Sequence, residues 1–183
     1  WNLMSTLVPI TVFIDLYDPK KPRSQGPEHR FQNSEPTIAG ISYQNPSNDY
    51  FGQGIYKYLS FLYSGATQTK SGDNLEASLM LANTSTQRDG VTSTNKLSMS
   101  YAHEAVSKGW NVHIHICKMN TSFTAVEDTL STDSWSVTSM GYTGSTIEIM
   151  LSTGVDAVGG NIGRFLTSAL VGHLPVTGNI RAK

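Results

Sequence analysis

The sequence predicts a mainly β protein, either a β-sandwich or a split β-barrel, with one short helix packed on the sheet. Two observations lead to this fold class. About eight or nine segments alternate apolar and polar residues with the period of two that is typical of strands with one buried face. Only the segment Ser98–Lys108 shows helical spacing instead. With 183 residues, the chain fits one domain and can bury a sizeable core.

Residues 8–17 predict the first strand, because branched apolar side chains alternate with polar and aromatic ones. The inward positions are predicted to be Ile10, Val12, Ile14 and Leu16, and the outward positions Thr11, Phe13, Asp15 and Tyr17. Residues 18–27 follow, with three prolines and three basic residues. This composition predicts an exposed loop that could serve as a contact arm.

Short strands are predicted around residues 30–32 and 38–43, with turn-forming residues at 33–36 between them. Residues 55–64 are dense in aromatic and branched side chains, which favours a strand buried on both sides or one that meets a neighbour. A polar loop over residues 64–74 then leads into a core strand. The predicted buried positions of that strand are Leu75, Ala77, Leu79 and Leu81.

The one predicted helix, Ser98–Lys108, follows a polar segment at residues 85–95 that predicts a loop. Apolar residues recur in it at four-residue spacing, so one stripe can pack on the sheet. Ser98 or Ser100 is expected to cap its start, and Gly109 is expected to end it.

Residues 110–119 predict the next strand, and residues 120–128 a short turn of helix. The strand is predicted to place Val112, Ile114 and Ile116 inward, and Asn111, His113, His115 and Cys117 outward. Residues 130–143 and 146–152 predict a hairpin that turns near Gly144. Its predicted buried residues are Trp135, Val137, Ile147, Ile149 and Leu151.

The chain is therefore predicted to be a single β-rich domain over residues 1–183. Its exposed segments are predicted at residues 18–27, 64–74 and 85–95 and in an extended, glycine-rich segment at 154–183. No apolar run reaches the roughly 18 residues of a membrane span, and the chain does not start like a signal peptide. A membrane span is therefore not expected.

The composition excludes several classes of function. A net charge of -1 with only 15% charged residues argues against a basic platform for specific nucleic-acid binding. The surface is expected to be rich in uncharged polar residues, which can pack against neighbouring subunits with little desolvation of ions. Cys117 is the only cysteine, so this chain cannot form an intrachain disulfide, a four-cysteine zinc site or an iron–sulfur cluster.

His113, His115 and Cys117 are the strongest candidates for metal binding, because side chains two apart on a strand project from the same face. No second cluster of His or Cys supplies further ligands. A solvated or interface strand face is therefore the favoured interpretation, and no metal site is predicted.

Nucleophilic catalysis would need a serine or cysteine beside a histidine and an acid. Serines, His103, His173 and Asp156 are available, but no G-x-S-x-G turn accompanies them. Residues 65–71 lack the spacing of a phosphate loop, and residues 159–164 lack the strand and helix context of a dinucleotide site. The sequence therefore predicts no catalytic residues, no cofactor and no enzyme.

Four blocks of the sequence, at residues 8–16, 71–83, 97–112 and 152–178, occur in an order seen in a known family. Together they resemble the N-terminal part of the minor tail protein L family of lambda-like phages. The first strand ends in Ile14-Asp15, as in that family. A glycine-containing loop precedes an L-x-x-x-L-x-L-A-N strand within residues 65–83, and an S-T-x-x-D segment with a later G-R follows within residues 152–164.

The resemblance covers roughly residues 8–178 and implies a tail-tube-like β domain in the virion, made in the host cytoplasm. Such proteins form a symmetric ring between the tail tube and the receptor-binding or puncturing tip, around the path of the DNA. By this analogy a trimer is preferred and a hexamer is the alternative, with other tail-tip and tail-tube proteins as partners. The family's iron–sulfur cluster needs a cysteine-rich region, which one cysteine cannot supply.

Two other classes of function stay open at this stage. One is a carbohydrate- or surface-binding β domain of an extracellular protein, since a polar β domain of this size also suits that role. The other is an enzyme, through the histidines and cysteine named above.

Overall fold

The computed structural model describes residues 8–34, 40–45, 50–68, 75–83 and 97–153. This part of the chain is mainly β with one α-helix, which confirms the predicted fold class. The strands are β1 Ile10–Tyr17, β2 His29–Gln32, β3 Ile41–Gln44, β4 Gln53–Tyr58, β5 Phe61–Tyr63, β6 Thr67–Gln68, β7 Leu75–Ala82, β8 Asn111–Met119, β9 Val126–Tyr142 and β10 Thr146–Ser152. The helices are α1, Ser98–Lys108, and a short 3-10 helix, Arg23–Gln25.

The strands form one mixed sheet in the order β3-β4-β2-β1-β8-β9-β10-β7-β5, and β6 pairs with β7. Of the strand pairs in the described residues, β2–β4 is parallel and the others are antiparallel. The hairpin of β9 and β10 turns where predicted, and the Thr143 N–H donates to the Thr146 carbonyl at 2.8 Å.

The chain between β4 and β5 joins two distant parts of this sheet. The Leu59 N–H donates to the Gln32 carbonyl beside β2 at 2.9 Å. The Ala82 N–H at the end of β7 donates to the Ser60 carbonyl at 3.0 Å. One continuous segment is thus hydrogen-bonded to β2 on one side and to β7 on the other. The sheet therefore closes in the manner of a barrel, with β3 as an additional strand outside the closure.

The main core lies on the inner face of this closed sheet. It combines most of the predicted inward residues of β1, β7, β8, β9 and β10 with residues of β2, β5 and the helix. Two predictions are wrong, because Ile10, at the start of β1, is exposed and Ile116 is only half-buried and lies outside this core. Its largest contributors include Ile14, Phe31, Leu59, Leu79, Trp110, Ile114, Trp135 and Ile149. The helix contributes Ala102 and Ala105, whose small side chains let it lie close to the sheet.

The ends of the helix agree only partly with the prediction. Gly109 adopts a left-handed conformation, with φ of 63°, and its N–H donates to the carbonyls of Ala105 and Val106. This is a glycine stop signal, as predicted. The predicted serine cap is wrong, because Leu97 occupies the cap position without a side-chain hydrogen bond. The Ser98 hydroxyl instead donates to the Ala82 carbonyl at 2.6 Å and ties the helix to β7.

A second, smaller core lies on the other face of β1 and β8. It contains Phe13, Ile41, Tyr43, Tyr56, Cys117 and Met119. The alternation predicted for both strands is correct, but the outward residues are not solvated. Thr11, Phe13, Asp15, Tyr17, His113, His115 and Cys117 are all buried. The cause is the β3–β4 hairpin, whose Tyr43 and Tyr56 rings pack on Phe13.

Several boundaries also differ from prediction. Residues 120–125 form a non-helical turn, and β9 begins at Val126, so the helical turn predicted there is wrong. The predicted loop at 64–74 contains the short strand β6, and the strand predicted over 55–64 is divided into β4 and β5. Leu75 is exposed. The loop predicted at 85–95 and the segment 154–183 lie outside the described residues.

The part of the chain that the structure describes has no helix long and apolar enough to cross a membrane.

Candidate functional site

The most concentrated polar chemistry surrounds Asp15, in the middle of β1 and on the face that the β3–β4 hairpin covers. Its side chain is fully buried. The Gly52 N–H donates to Asp15 Oδ2 at 2.7 Å. The Tyr56 hydroxyl lies 2.8 and 2.9 Å from the two carboxylate oxygens, and His115 Nε2 lies 3.2 Å from Oδ2. Three donors from β4, β8 and the loop before β4 therefore converge on one carboxylate.

Arg30 supplies positive charge to this carboxylate. Its Nε lies 3.8 Å from Asp15 Oδ1, and the two residues are opposite each other in the β1–β2 pairing. The guanidinium packs against Gly54, where an added Cβ would lie 3.2 Å from Arg30 Nε. The backbone φ of Gly54 is 123°, a value that other residues rarely adopt. Gly54 therefore allows β4 to pass the guanidinium closely.

His115 connects Asp15 to the exposed strand β9. Its Nδ1 lies 3.3 Å from Thr132 Oγ1, on the neighbouring strand. Because Nε2 faces a carboxylate, it is the ring nitrogen that donates to Asp15, and Nδ1 faces the Thr132 hydroxyl. This gives the order carboxylate, imidazole, hydroxyl.

The same order occurs in nucleophilic catalysis, although with an activated serine or cysteine in most cases. Thr132 lies on an exposed strand, and it does not line the surface cavities near Ile10, Tyr142 and Tyr101. The arrangement therefore has the connectivity of a relay. Its geometry suits an anchor that fixes β4 and β9 to the central strands.

Burial keeps the tyrosines of this region neutral. Burial raises the pKa of Tyr56, and the nearby charge of Asp15 raises it further. Burial likewise raises the pKa of Tyr43, whose hydroxyl lies 2.8 Å from Thr129 Oγ1 on β9. A neutral phenol can donate its proton to the Asp15 carboxylate, whereas a phenolate would repel it.

The predicted metal candidates share a face but have different surroundings. His113 stacks on Phe51 and Tyr17, with ring centroids 4.4 and 5.0 Å away. His115 belongs to the Asp15 network. Cys117 lies in the smaller core, and burial raises the pKa of its thiol, which disfavours the thiolate that binds metals. Among the residues described, no group of three or more His, Cys, Asp or Glu side chains is arranged to hold a metal ion.

A surface groove with both polar and apolar lining lies at the turn of the β9–β10 hairpin. Its volume is about 450 Å³. It is lined by Met80, Gly141, Tyr142, Thr143, Thr146 and Glu148. Tyr142 is 70% exposed, and Leu62, directly opposite Met80 in the sheet, is 63% exposed. An aromatic ring, hydroxyls and a carboxylate are thus available to an external ligand.

Sequence reasoning missed the Asp15 network. It considered His103, which is exposed on α1, and Asp156 and His173, which lie outside the described residues. The available signal was Asp15 itself, a carboxylate within an otherwise apolar and aromatic strand, where it must find partners. Its partners come from segments that are distant in sequence and could not be inferred from spacing.

Comparisons of the chain with protein-family models, with curated proteins and with solved structures found no match.

Proposed function

We propose that this chain is a structural virion protein of a bacteriophage tail tip, in the baseplate hub or the distal tail ring. It would link the tail tube to the receptor-binding or puncturing tip and line the path of the DNA. The observation that carries the proposal is the ordered set of sequence blocks over residues 8–178 that resembles the minor tail protein L family. The proposal includes no catalytic activity.

The two motif residues of the first block have separate roles, which supports this use of the resemblance. Ile14 is part of the main core, and Asp15 is the centre of the buried network on the opposite face. Ile14 and Asp15 thus fix the packing on both faces of a central strand, and any protein with this fold would need residues of these two kinds there. Motif residues with a structural role suit a structural protein.

The closed sheet also supports the proposal. A ring subunit needs a rigid body whose surface can contact neighbours, and β1 and β8 are buried on both faces here. The low content of charged residues suits a passage through which DNA slides without binding. The proposed partners are further copies of the chain, in a trimer or alternatively a hexamer, together with other tail-tip and tail-tube proteins.

The test is to purify the full chain and to measure its mass by light scattering, with negative-stain images of the same sample. The chain is then mixed with assembled tail tubes of the phage that encodes it. We expect rings, or tubes that carry the protein at one end. A monomer at all concentrations that does not join the tubes would contradict the proposal.

The groove at Tyr142 favours a second candidate function, carbohydrate binding by an extracellular β domain. Exposed aromatic rings with hydroxyls and a carboxylate nearby can bind the faces and hydroxyls of sugars. A glycan array with the unmodified protein and the Tyr142→Ala variant separates the two candidates. Binding that is lost in the variant, by a protein that stays monomeric, would favour the carbohydrate function.

A further inference from the structure

Among the residues that the structure describes, strand β9 is paired on only one side over half of its length. It pairs with β8 from Val126 to Ser136, whereas its pairing with β10 begins only at Ser136. Within the described ranges, no strand pairs with the second edge of residues 126–134. Glu127 and Asp128 are exposed on this stretch, and Asp133 is partly exposed. An open edge is a ready surface for another chain.

The arm that follows β1 has the opposite charge. Residues 19–25 are all exposed and include Lys20, Lys21 and Arg23 but no acidic residue. The arm is ordered by its 3-10 helix and by the Lys21 N–H, which donates to the Asp18 carbonyl at 3.0 Å. The whole chain has only 13 basic and 14 acidic residues. The three basic residues of the arm and the exposed Glu127 and Asp128 of β9 therefore form a complementary pair of surfaces, whereas Asp133 Oδ2 accepts from the Tyr63 hydroxyl at 2.9 Å.

The two surfaces cannot fully neutralise each other within one molecule. Tyr17, where the arm begins, lies opposite Asn111, and Asn111 lies opposite Ser136. At the other end of the same strands, Ile10 lies opposite Lys118, and Lys118 lies opposite Asp128. The start of the arm and the acidic start of β9 are thus separated by the length of β1, roughly 25 Å at the usual rise per residue.

We propose that the basic arm, residues 19–25, docks on the acidic edge of β9 in a second copy of this chain. The inference rests on the proposed function, in which copies of the chain form a ring. Because two different surfaces meet, the contact is head-to-tail, and repeated contacts close into a ring when the rotation allows it. The contact uses charge complementarity to set the orientation of the copies.

Existing ion pairs do not prevent this contact. Lys21 contacts Glu28, and Lys118 Nζ lies 2.8 Å from Glu127 Oε2, but both pairs are on the surface. Exposed pairs of this kind contribute little and exchange partners readily. Arg23 lies over the Phe51 ring, with its guanidinium carbon 5.7 Å from the ring centroid, but its side chain is exposed. Lys20, Arg23 and Asp128 can therefore gain an oppositely charged partner from a neighbouring copy.

A charge-swap experiment tests the proposal. The arm variant carries Lys20→Glu and Arg23→Glu, and the edge variant carries Glu127→Lys and Asp128→Lys. A third protein carries all four substitutions. Light scattering should show each two-residue variant dissociated, with a dissociation constant raised about 100-fold or more by like-charge contacts. The four-residue protein should regain the mass of the unmodified assembly, which should itself dissociate at about 0.5 M salt.

Matched controls exclude loss of the fold. All four positions are exposed, so the thermal unfolding of each variant should match that of the unmodified protein. Lys108→Glu with Glu148→Lys reverses two exposed charges elsewhere and should leave the mass unchanged.

Three results would overturn the inference. If the arm and edge variants assemble normally, the contact is wrong, while rings of unmodified protein would still support the proposed function. If the four-residue protein fails to reassemble, the two surfaces do not meet each other. If the arm variant loses binding to a DNA duplex and keeps its mass, the arm contacts nucleic acid instead. A monomer that also fails to join tail tubes would overturn both proposals together.

Discussion

At the scale of single residues, Asp15 has the largest influence on this molecule. A carboxylate without solvent exposure is costly unless donors and a positive charge compensate for lost hydration. Here the compensation comes from Gly52, Tyr56, His115 and Arg30. These partners belong to different elements, so the carboxylate fixes their relative positions. Loss of the Asp15 charge should therefore weaken the packing of β2, β4 and β8 as well as that of β1.

Asp15→Asn should lower the free energy of unfolding by about 3 kcal/mol, because it replaces one buried acceptor oxygen by an N–H₂ group that faces donors and removes the charge opposite the Arg30 guanidinium. The measurement is equilibrium denaturation in urea at neutral pH. The matched control, Asp128→Asn, removes an exposed carboxylate and should change the free energy by less than about 0.5 kcal/mol. Equal effects of the two substitutions would show that the network does not stabilise the fold.

The buried tyrosines predict a loss of stability in alkali. Burial raises the pKa of Tyr43, Tyr56 and Tyr63, so the folded state holds these protons more tightly than the unfolded state does. This stabilisation is fully present below pH about 10, the ordinary tyrosine pKa, and is lost progressively as the pH rises above it. Urea denaturation at pH values from about 8 to 11 measures the loss.

A pair of variants tests the origin of this pH dependence. Tyr56→Phe should make the alkaline decrease in the free energy of unfolding shallower, although its stability at neutral pH falls because Asp15 loses a donor. Tyr142→Phe, at an exposed ring, should leave the pH profile unchanged. An unchanged profile in Tyr56→Phe would assign the alkaline loss to other groups.

At the scale of elements, the β3–β4 hairpin decides which residues are buried. The sequence correctly predicts period two in β1 and β8, since alternation is a local property. It does not reveal that a hairpin covers the second face, because that contact joins residues far apart in the chain. Tyr43 and Tyr56 lie in short strands between turn-rich segments, and nothing in their local sequence indicates that they pack on β1. The alternation therefore identified the faces but not their exposure.

The difference between local signals and contacts of distant residues also explains which other elements were predicted correctly. The helix was predicted within its observed bounds because its spacing and Gly109 are local signals. The start of β9 was missed because residues 126–134 are mostly polar and extend beyond the core, where no buried face imposes alternation. The Asp15 network was missed because its members meet only after the sheet has formed.

Cys117 should report the opening of the hairpin. Its thiol is fully buried between β8 and the hairpin, and burial raises its pKa, so the folded protein should react very slowly with thiol reagents. Tyr43→Ala removes a buried ring from the hairpin and should cost about 3 kcal/mol. Labelling through opening should then be about 100-fold faster.

Labelling is measured under native conditions with a thiol reagent that releases a coloured group, whose absorbance is followed over time. Tyr142→Ala removes an exposed ring and should label at the rate of the unmodified protein. Rapid labelling of the unmodified protein would contradict the packing of the hairpin over Cys117.

At the scale of the whole molecule, closure through the segment between β4 and β5 links the two sides of the sheet. Leu59 in this segment is 2% exposed and belongs to the main core, next to the hydrogen bonds that complete the closure. Because these contacts join β2 and β7, neither side should unfold without the other. The described domain should therefore unfold in a single cooperative transition.

Leu59→Ala should lower the free energy of unfolding by about 3 kcal/mol and keep the transition cooperative. Leu62→Ala, three residues later, changes a side chain that is 63% exposed and should cost less than about 0.5 kcal/mol. Fluorescence and circular dichroism, followed in the same urea titration, give the two midpoints. Separate midpoints in the unmodified protein would show that the two sides of the sheet unfold independently.

The central strands also have a mechanical consequence. All of β1 is paired with β8, and β8 is paired on its other side with β9. Backbone hydrogen bonds between antiparallel strands lie across the strand direction, so tension along β8 would shear many of them at once. The β3–β4 pair is short and would open one bond after another if its end were peeled away. The domain should therefore be stiff under tension along β8 and compliant at the hairpin.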